Sequence, residues 1–443
     1  MHEHHIARTL TSEEQHRRML QTPVPKLVLS LAAPTVASQL ISIIYNTADT
    51  YFVSQISTSA SAAVGVVFSL SLIIQAYGFG VAMGASSLIS LRLGEKKDRD
   101  ANGYASSGFF AELVGGLLIL IFGLLFLEPL MRVLGATETM LPHACAYGRI
   151  ILMGAPIMCC SFVLNCILRA EGAAVVSMVG LCSGGLINIA LDPLFIFAFG
   201  MGVRGAALAT VLSQAVSAVW VLRFLTGKKT KWRLRRENLR LVPKVFLPSI
   251  ALGLSPFIMQ STESLIAVCF NSSLLKYGGD LAVGSMTVLT SIMQFAMMPL
   301  HGLTQGAQPI ISFNFGARSA KRVREAFRCL LTACVTYSMA LWLLVQLFPR
   351  MFVLIFNSNP ALVDYAAWAL RIYMGATGIF GVQIACQQTF VALGNAKTSL
   401  FLAILRKIIL LIPLIYLLPC FFADKAFAVF LAEPVADLLA VLT

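Results

Sequence analysis

The chain has 443 residues, of which 58% are hydrophobic and only 12% are charged, and its mean hydropathy is +0.82. A soluble domain carries about 25% charged residues, so this composition excludes a water-soluble globular protein. A formal net charge of +13 would suggest nucleic-acid binding in a soluble protein. Here the basic runs alternate with apolar segments, which favours contact with anionic lipid and excludes nucleic acid as a partner.

Twelve apolar segments follow one another along the chain, each long enough to cross a bilayer as a helix of about 20 residues. They lie at residues 27–53, 60–91, 104–127, 146–168, 173–199, 205–225, 247–275, 281–313, 329–348, 365–391, 398–420 and 426–443. Nearly all of the ten cysteines lie inside these segments, which indicates small buried hydrophobic residues rather than metal ligands. The sequence therefore predicts an all-α polytopic membrane protein with twelve transmembrane helices.

The distribution of Lys and Arg predicts the orientation. If both termini lie in the cytoplasm, 24 of the 33 basic residues fall on the cytoplasmic side, seven fall on the outer side, and Arg406 and Lys407 lie within a span. Cytoplasmic loops of membrane proteins carry the excess of Lys and Arg. We therefore expect a multi-pass protein of the plasma (inner) membrane with both termini in the cytoplasm.

The two halves of the chain resemble each other. Gly80 begins the pattern Gly-x-x-x-Gly-Ala-x-x-Leu-Ile-Ser-x-x-x-Gly, and Gly302, 222 residues later, begins the same pattern with Ile in place of Leu. Six helices separate the copies, so both enter the membrane from the same side and are expected to be related by a pseudo-two-fold axis along the membrane normal. The predicted parts are a cytoplasmic segment at 1–26, a six-helix N-lobe at 27–225, a basic cytoplasmic linker at 226–246 and a six-helix C-lobe at 247–443.

Asp49, Asn188 and Asp192 are candidate cation ligands. A carboxylate at membrane depth costs on the order of 3 kcal/mol, so it usually faces a cavity or a partner. Asn188 and Asp192 are four residues apart and share one helix face. Carboxylate and amide oxygens suit Na⁺, and a desolvated carboxylate can equally hold a proton. A purely structural polar network is the alternative interpretation.

Glu263, in the seventh segment, is a natural counter-ion for an organic cation in a cleft between the lobes, reached from helices one, two, seven and eight. Methionine and aromatic side chains nearby suit promiscuous binding. The candidate substrate-binding residues are Met259, Gln260, Glu263, Met293, Gln294 and Met297. The alternatives are ordinary helix packing for the methionines and pairing with a base for Glu263.

Three further membrane acids receive no transport role from the sequence. Glu112 is expected to pair or to extend toward the interface, and Glu433 and Asp437, one turn apart, are expected near an interface. No P-loop, Gly-x-Ser-x-Gly or His-Glu-x-x-His motif occurs in the chain. We therefore expect a transporter rather than an enzyme, without a cofactor, that draws on an ion gradient of Na⁺ or H⁺.

The chain resembles the multidrug and toxic compound extrusion (MATE) family, especially its MepA-like branch. The resemblance is carried by the motifs Pro34 through Asp49-Thr50, Gly84-Ala85-Ser86-Ser87, Asn188-x-x-x-Asp192-Pro193, Gly205-Ala206-Ala207-x-Ala209-Thr210 and Gln308-Pro309-Ile310-Ile311-Ser312-Phe313-Asn314-Phe315-Gly316-Ala317. It covers essentially the whole chain. It implies a two-lobe monomer and cation-coupled antiport of amphipathic, mostly cationic drugs, hence xenobiotic efflux and antibiotic resistance.

The resemblance also implies a cation-responsive site in the N-lobe, formed by Asp49, Asn188, Asp192 and Thr210, of which the first three would hold Na⁺ if sodium is the coupling ion. Glu263 resembles the helix-seven carboxylate of another branch, which also has an acid in helix ten. Here that part of helix ten has only Gln383, Gln387 and Gln388, so coupling is expected through the N-lobe.

Two other functions remain open at this point. A lipid-linked glycan flippase of the wider superfamily shares the two-lobe plan, but its cavity should contain several bases, and here those inside the membrane are mainly Arg406 and Lys407. A membrane-embedded enzyme would need a convergent nucleophile and base or metal ligands, and His301 is the only histidine well inside a span.

Overall fold

The computed structural model describes residues 12–226 and 243–443, and the regular elements in those two ranges are all helical. In the first half they are α1 (Ser12–Gln21), α2 (Val24–Ser54), α3 (Thr58–Gly94), α4 (Asp98–Leu125), α5 (Leu127–Val133), α6 (Leu141–Ala170), α7 (Ala174–Pro193) and α8 (Val203–Thr226). In the second half they are α9 (Pro243–Gly316), α10 (Ala320–Leu347), α11 (Pro349–Leu354), α12 (Pro360–Tyr373), α13 (Thr377–Ala392), α14 (Ala396–Ile404), α15 (Ile412–Phe421) and α16 (Lys425–Leu442). A π-helical turn, Leu194–Ala198, continues α7, and a second, Leu405–Leu411, joins α14 to α15.

These helices make twelve traverses in the order that the hydropathy pattern predicts. α9 contains two of them, because Gly279 at φ +67° and ψ −164° breaks the helix and reverses the chain. Glycine has no Cβ and adopts this backbone conformation without strain. α12 and α13 are bent by 50° relative to each other and together form one traverse, and α14, its π-helical turn and α15 form another. Most of the predicted linker, residues 227–242, lies outside the described residues.

The traverses form two six-helix lobes, α2–α8 and α9–α16. We call the end of the bundle that carries α1 and the loops at 95–97, 171–173, 317–319 and 393–395 the basic end, and the opposite end the distal end. The lobes meet mainly where α9 packs against α2 and α3. The first halves of both lobes therefore form the contact between them.

Glycine residues bring the two lobes into backbone contact. Within the described ranges, the glycines whose added Cβ would meet the other lobe are Gly80, Gly84, Gly94, Gly253, Gly302, Gly306 and Gly316, which we call the glycine seam. A Cβ at Gly80 would lie 2.9 Å from the carbonyl oxygen of Gly253, and one at Gly84 would overlap the carbonyl of Ser249. The repeated glycine pattern in the sequence is thus explained by close helix packing across the lobe interface.

The contact at the basic end is reciprocal. A Cβ at Gly94 would overlap the carbonyl of Phe313, and a Cβ at Gly316 would overlap the carbonyl of Leu91. Each residue of one contact lies 222 positions from its counterpart in the other, which is the offset of the sequence repeat. Both contacts lie at the same end of the bundle, so the pseudo-two-fold axis runs along the membrane normal, as predicted.

The seam lies entirely in the half of the bundle nearest the basic end. There one hydrophobic core runs through both lobes, from Leu27 and Leu31 to Ile310 and Phe313. The distal half of the N-lobe has a separate core that includes residues such as Val67. The lobes are therefore joined at the basic end and separate toward the distal end.

Helix α1 belongs to the chain of the N-lobe but is held by the C-lobe. The Nη2 atom of Arg322, on α10, donates to the carbonyl oxygens of Met19 at 3.0 Å and Thr22 at 2.7 Å. The last carbonyls of a helix have no partner within it, so an arginine side chain is a suitable donor. The His16 ring packs edge-on against Phe313, with ring centroids 5.1 Å apart. α1 therefore adds a second tie between the lobes at the basic end.

Candidate cation site and substrate cleft

Three helices of the N-lobe bring the predicted cation ligands together. Asp49 lies in the last turns of α2, Asn188 and Asp192 lie on one face of α7, and Thr210 lies on α8. Asn188 and Asp192 are buried, and Nδ2 of Asn188 donates to Oδ1 of Asp192 at 3.4 Å. Asp49 is close enough for its charge to act on Asp192. The two carboxylates therefore share one polar environment.

Three oxygen atoms of this group are buried without a donor among the described residues: Oδ1 of Asp49, Oδ1 of Asn188 and Oδ2 of Asp192. The ion pairs found in those residues involve neither aspartate. A buried acceptor without a donor costs about 1–3 kcal/mol, and more when it is charged. This arrangement is suited to a bound cation or proton, which would satisfy the free oxygens and reduce the repulsion between the carboxylates.

Tyr147, on α6, completes the group and was missed from the sequence. It is 5% exposed, and its side chain is close enough to Thr210, Asp49 and Asp192 to interact with them. We call Asp49, Tyr147, Asn188, Asp192 and Thr210 the N-lobe oxygen cluster. In the sequence, a tyrosine within an apolar span indicates aromatic packing. Only the position of α6 beside α8 shows that the hydroxyl of Tyr147 lies near polar groups.

The N-lobe oxygen cluster offers only hard oxygen donors, of the kind that Na⁺ and protons prefer. Over residues 12–226 and 243–443, no three or more His, Cys, Asp or Glu side chains are placed to hold a metal ion together. The two carboxylates of the cluster together with the Asn188 amide and the Thr210 hydroxyl thus suit a monovalent cation better than a transition metal.

The candidate substrate residues divide by exposure. The Glu263 side chain is 55% exposed and lies about 9 Å along α9 from Phe257, where the glycine seam ends. Gln294, on the second arm of α9, is exposed as well. Met259, Gln260 and Met293 are half-buried. Met297 is 8% exposed and lies in the hydrophobic core, which favours the packing interpretation for that residue.

Glu263 is not an isolated carboxylate. Nζ of Lys407, on the π-helical turn before α15, donates to Oε1 of Glu263 at 2.7 Å. The two side chains differ in exposure, since the Lys407 side chain is 6% exposed and the Glu263 side chain is 55% exposed. The base lies inside the lobe and the acid lies at its surface, so the charge of Glu263 is already compensated. This is the pairing that the sequence analysis left open as an alternative.

The expectation that Glu433 and Asp437 lie near an interface is wrong. Both are buried inside the C-lobe, where Arg406 donates from Nε to Oδ1 of Asp437 at 2.7 Å and from Nη2 to Oε1 of Glu433 at 2.9 Å. The guanidinium also lies over the Phe380 ring, 4.3 Å from its centroid. We call Glu263, Arg406, Lys407, Glu433 and Asp437 the C-lobe charge cluster. The pairing residues are 27 and 31 positions apart, so no local pattern reveals them.

The glutamines of α13 form a neutral network. Nε2 of Gln383 donates to Oε1 of Gln387 at 2.7 Å, and Nε2 of Gln387 donates to Oγ of Ser255 at 3.2 Å. Oγ of Ser399 donates to the same Ser255 hydroxyl at 2.8 Å. The charges of the C-lobe charge cluster therefore come from α9, α16 and the π-helical turn between α14 and α15, with none from α13.

Glu112, on α4, neither pairs nor extends to the interface, contrary to expectation. It is fully buried, and both carboxylate oxygens have no hydrogen-bond partner among the described residues. The nearby hydroxyl of Tyr77 donates instead to the carbonyl of Ala111 at 2.9 Å. Glu112 therefore lies inside the N-lobe, apart from the N-lobe oxygen cluster.

The chain matches the MatE family twice, over residues 34–194 and 256–417, and the two matches begin 222 residues apart. It is 25% identical over 437 residues to the multidrug export protein MepA of Staphylococcus aureus (strain NCTC 8325 / PS 47), covering 97% of this chain and 95% of that protein. The protein of the same name from Staphylococcus saprophyticus is 23% identical over 433 residues, with the same coverage.

Solved structures show the same fold. One describes the outward-facing conformation of a multidrug resistance MATE family transporter of the MOP superfamily; it is 25% identical, with a TM-score of 0.90 over 96% of this chain and 95% of that one. A MOP superfamily transporter from Pyrococcus furiosus, described as having a binding pocket of reverse polarity, is 26% identical, with a TM-score of 0.88 over 96% of each chain. With twelve traverses in two parallel lobes and a double match that spans most of its length, the chain belongs to the MatE family of membrane transporters.

Proposed function

We propose that this protein is a cation-coupled antiporter that exports amphipathic, mostly cationic organic compounds by alternating access. The observation that carries the proposal is the N-lobe oxygen cluster, in which two carboxylates and an amide leave three buried oxygens that have no donor among the described residues. Such a group binds a cation or a proton and changes its interactions when the ion leaves. The names of the relatives, multidrug export proteins, support organic compounds as the cargo.

The direction of transport follows from the two ends of the bundle. The basic end carries most of the Lys and Arg residues, so it faces the cytoplasm, with both termini there, in a plasma membrane protein. The glycine seam and α1 join the lobes at that end. The described conformation is then closed to the cytoplasm and open to the outside, the state from which cargo is released and the coupling ion enters. Both lobes belong to the same chain, which supports a monomer as the transporting unit.

Helix α2 links the ion site to the closed end. It carries Asp49 in its last turns, and in its first half Ala32 and Val36 touch Gly306 and Gly302 of the C-lobe. A cation bound between Asp49 and α7 alters how α2 packs inside the N-lobe. Because the same helix forms part of the seam, that change alters the stability of the cytoplasmic closure. The ion and the lobe contact are therefore coupled through one packed helix.

A lipid-linked glycan flippase is the second candidate, and the structure disfavours it. Recognition of a lipid pyrophosphate requires free Arg or Lys side chains in the cavity. Among the described residues the bases inside the membrane are mainly Arg406 and Lys407, and both already bind carboxylates of the C-lobe charge cluster. An organic cation is a better cargo for a cleft whose exposed charged group is a carboxylate.

Reconstituted protein tests the proposal and identifies the ion. Vesicles that contain the purified protein are loaded with a cationic dye, and dye export is followed under an imposed Na⁺ gradient and, separately, under a proton gradient. We expect export under one gradient and slow leakage without a gradient. Equal dye movement in vesicles with protein, with and without each gradient, and in vesicles lacking protein would contradict the proposal.

A further inference from the structure

The C-lobe charge cluster is short of one positive charge. It contains three carboxylates, Glu263, Glu433 and Asp437, and two permanent bases. Arg406 binds Glu433 and Asp437, and Lys407 binds Glu263. Oε2 of Glu433 is buried and has no hydrogen-bond partner in the described part of the chain. When every member is ionised, the cluster therefore has room for one further monovalent cation.

The positions of the acids indicate where that cation can enter. Glu263 is 55% exposed, whereas the side chains of Glu433 and Asp437 are 4% and 2% exposed. Of the three acids, only Glu263 is exposed enough for a molecule outside the lobe to reach it. A cation that binds there has to replace the Lys407 ammonium, which is 2.7 Å from the same carboxylate.

Lys407 has a second acceptor available within the cluster. Glu433 lies close enough to Lys407 for the two charges to interact. Its free Oε2 atom is an acceptor that the Arg406 guanidinium does not use. A lysine side chain carries a compact charge and three donors on a flexible four-carbon stem, so it can exchange one carboxylate for another. His301, which is also close to Glu263 and Lys407, carries no permanent charge.

We propose that Lys407 is an internal competitor of the substrate: its ammonium occupies Glu263 in the absence of cargo, and a monovalent organic cation displaces it to the free oxygen of Glu433. The inference rests on the proposed export of organic cations and identifies the residue that limits their affinity. An uncharged amphipathic compound cannot replace an ammonium group, so it binds without moving Lys407. Lys407 thus determines which substrates engage the C-lobe charge cluster.

Two variants with opposite expected effects test this assignment. Purified protein in nanodiscs is titrated with tetraphenylphosphonium, a permanent organic cation, and with Nile red, an uncharged dye. In Lys407→Gln the competitor is absent, so we expect tetraphenylphosphonium to bind about tenfold more tightly, which corresponds to about 1.4 kcal/mol. In Glu433→Gln the second acceptor is absent and the cluster is neutral, so we expect binding about tenfold weaker. Nile red affinity should stay the same in both.

Glu112→Gln is the matched control, because Glu112 is another buried carboxylate with free oxygens but lies in the N-lobe. It should change neither affinity. If Lys407→Gln fails to fold, the Glu433→Gln variant tests the proposal by itself. An unchanged affinity of Glu433→Gln for tetraphenylphosphonium would show that Lys407 does not move from Glu263 to Glu433. Wild-type protein that binds neither probe and exports no dye contradicts the proposed function itself. Wild-type protein that binds both probes, with the cation affinity unchanged in Lys407→Gln, overturns only the role of Lys407.

Discussion

The two lobes share one fold but differ in charged residues at corresponding positions. Gly184 and Gly185 of α7 stand 222 residues before Arg406 and Lys407, and the glycines allow close approach of Ser213 and Tyr45, respectively. At these positions the N-lobe has no base beside its acids, whereas the C-lobe has two bases that pair with three acids.

The difference continues one turn further along the same helices. Asn188 and Asp192 correspond by the same offset to Leu410 and Leu414 in the C-lobe. An unpaired group of oxygens can take up and release an ion directly, whereas a paired acid must first give up its base. The comparison indicates that differences in this helix pair contribute to unpaired oxygens in the N-lobe, where we propose ion binding, and to paired charges in the C-lobe.

Removal of one carboxylate from the N-lobe oxygen cluster should abolish coupling, the strongest consequence that we predict. Asp49→Asn keeps the size of the side chain and removes the negative charge that would hold the ion, so we expect gradient-driven dye export to fall to background. The amount of folded protein should be unchanged. The measurement is export from vesicles, normalised to reconstituted protein, and Glu112→Gln serves as the control with normal export. Export at the wild-type rate by Asp49→Asn would defeat the assignment of this site.

The next effect contrasts the stability of the lobes. Arg406→Met leaves Glu433 and Asp437 buried without a base, and breaking a buried ion pair in this way costs about 3–5 kcal/mol. Thermal unfolding in detergent should show a large drop in midpoint. Asp192→Asn in the N-lobe removes a repelling charge and should leave the midpoint the same or higher. As a surface control, Arg132→Gln removes exposed ion pairs and should leave the midpoint nearly unchanged. If Arg406→Met and Asp192→Asn lowered the midpoint of thermal unfolding equally, the two lobes would not differ in how their buried charges are paired.

A smaller effect is expected from the interface that the two lobes share. Gly84→Ala places a methyl group against the Ser249 carbonyl, so the closed seam becomes less stable by about 1–3 kcal/mol. Gly103→Ala is the control, because a Cβ there meets no atom within 4 Å. Labelling of a cysteine introduced at the basic end should be faster in Gly84→Ala than in Gly103→Ala. Identical labelling rates would mean that the seam does not set the cytoplasmic closure.

The smallest effect concerns the residue that the sequence did not reveal. Tyr147→Phe removes a hydroxyl next to Thr210 without creating a cavity. A hydrogen bond of this kind contributes about 1 kcal/mol, so the half-saturating concentration of the coupling ion should rise about fivefold. The maximal export rate should change little. A variant with unaltered ion dependence would place Tyr147 outside the N-lobe oxygen cluster.

The number of traverses, the parallel repeat and the basic end follow from the amino-acid sequence alone. Hydropathy, the 222-residue offset and the distribution of Lys and Arg are properties that can be read along the chain. It also predicted that Asn188 and Asp192 share a face, since a spacing of four residues is fixed by helix geometry. These features depend only on local periodicity and on the solvent in which the helices lie.

The side-chain partners of the polar membrane residues become visible only when the helices are packed together. Tyr147 joins Thr210 from a helix more than 60 positions away, and Arg406 and Lys407 find Glu433, Asp437 and Glu263 on other helices. Whether a membrane acid is free to bind an ion or is already neutralised depends on which helix packs beside it. Which helix packs there depends on how side chains fit between helix surfaces. This fit cannot be predicted from the spacing of residues along one helix.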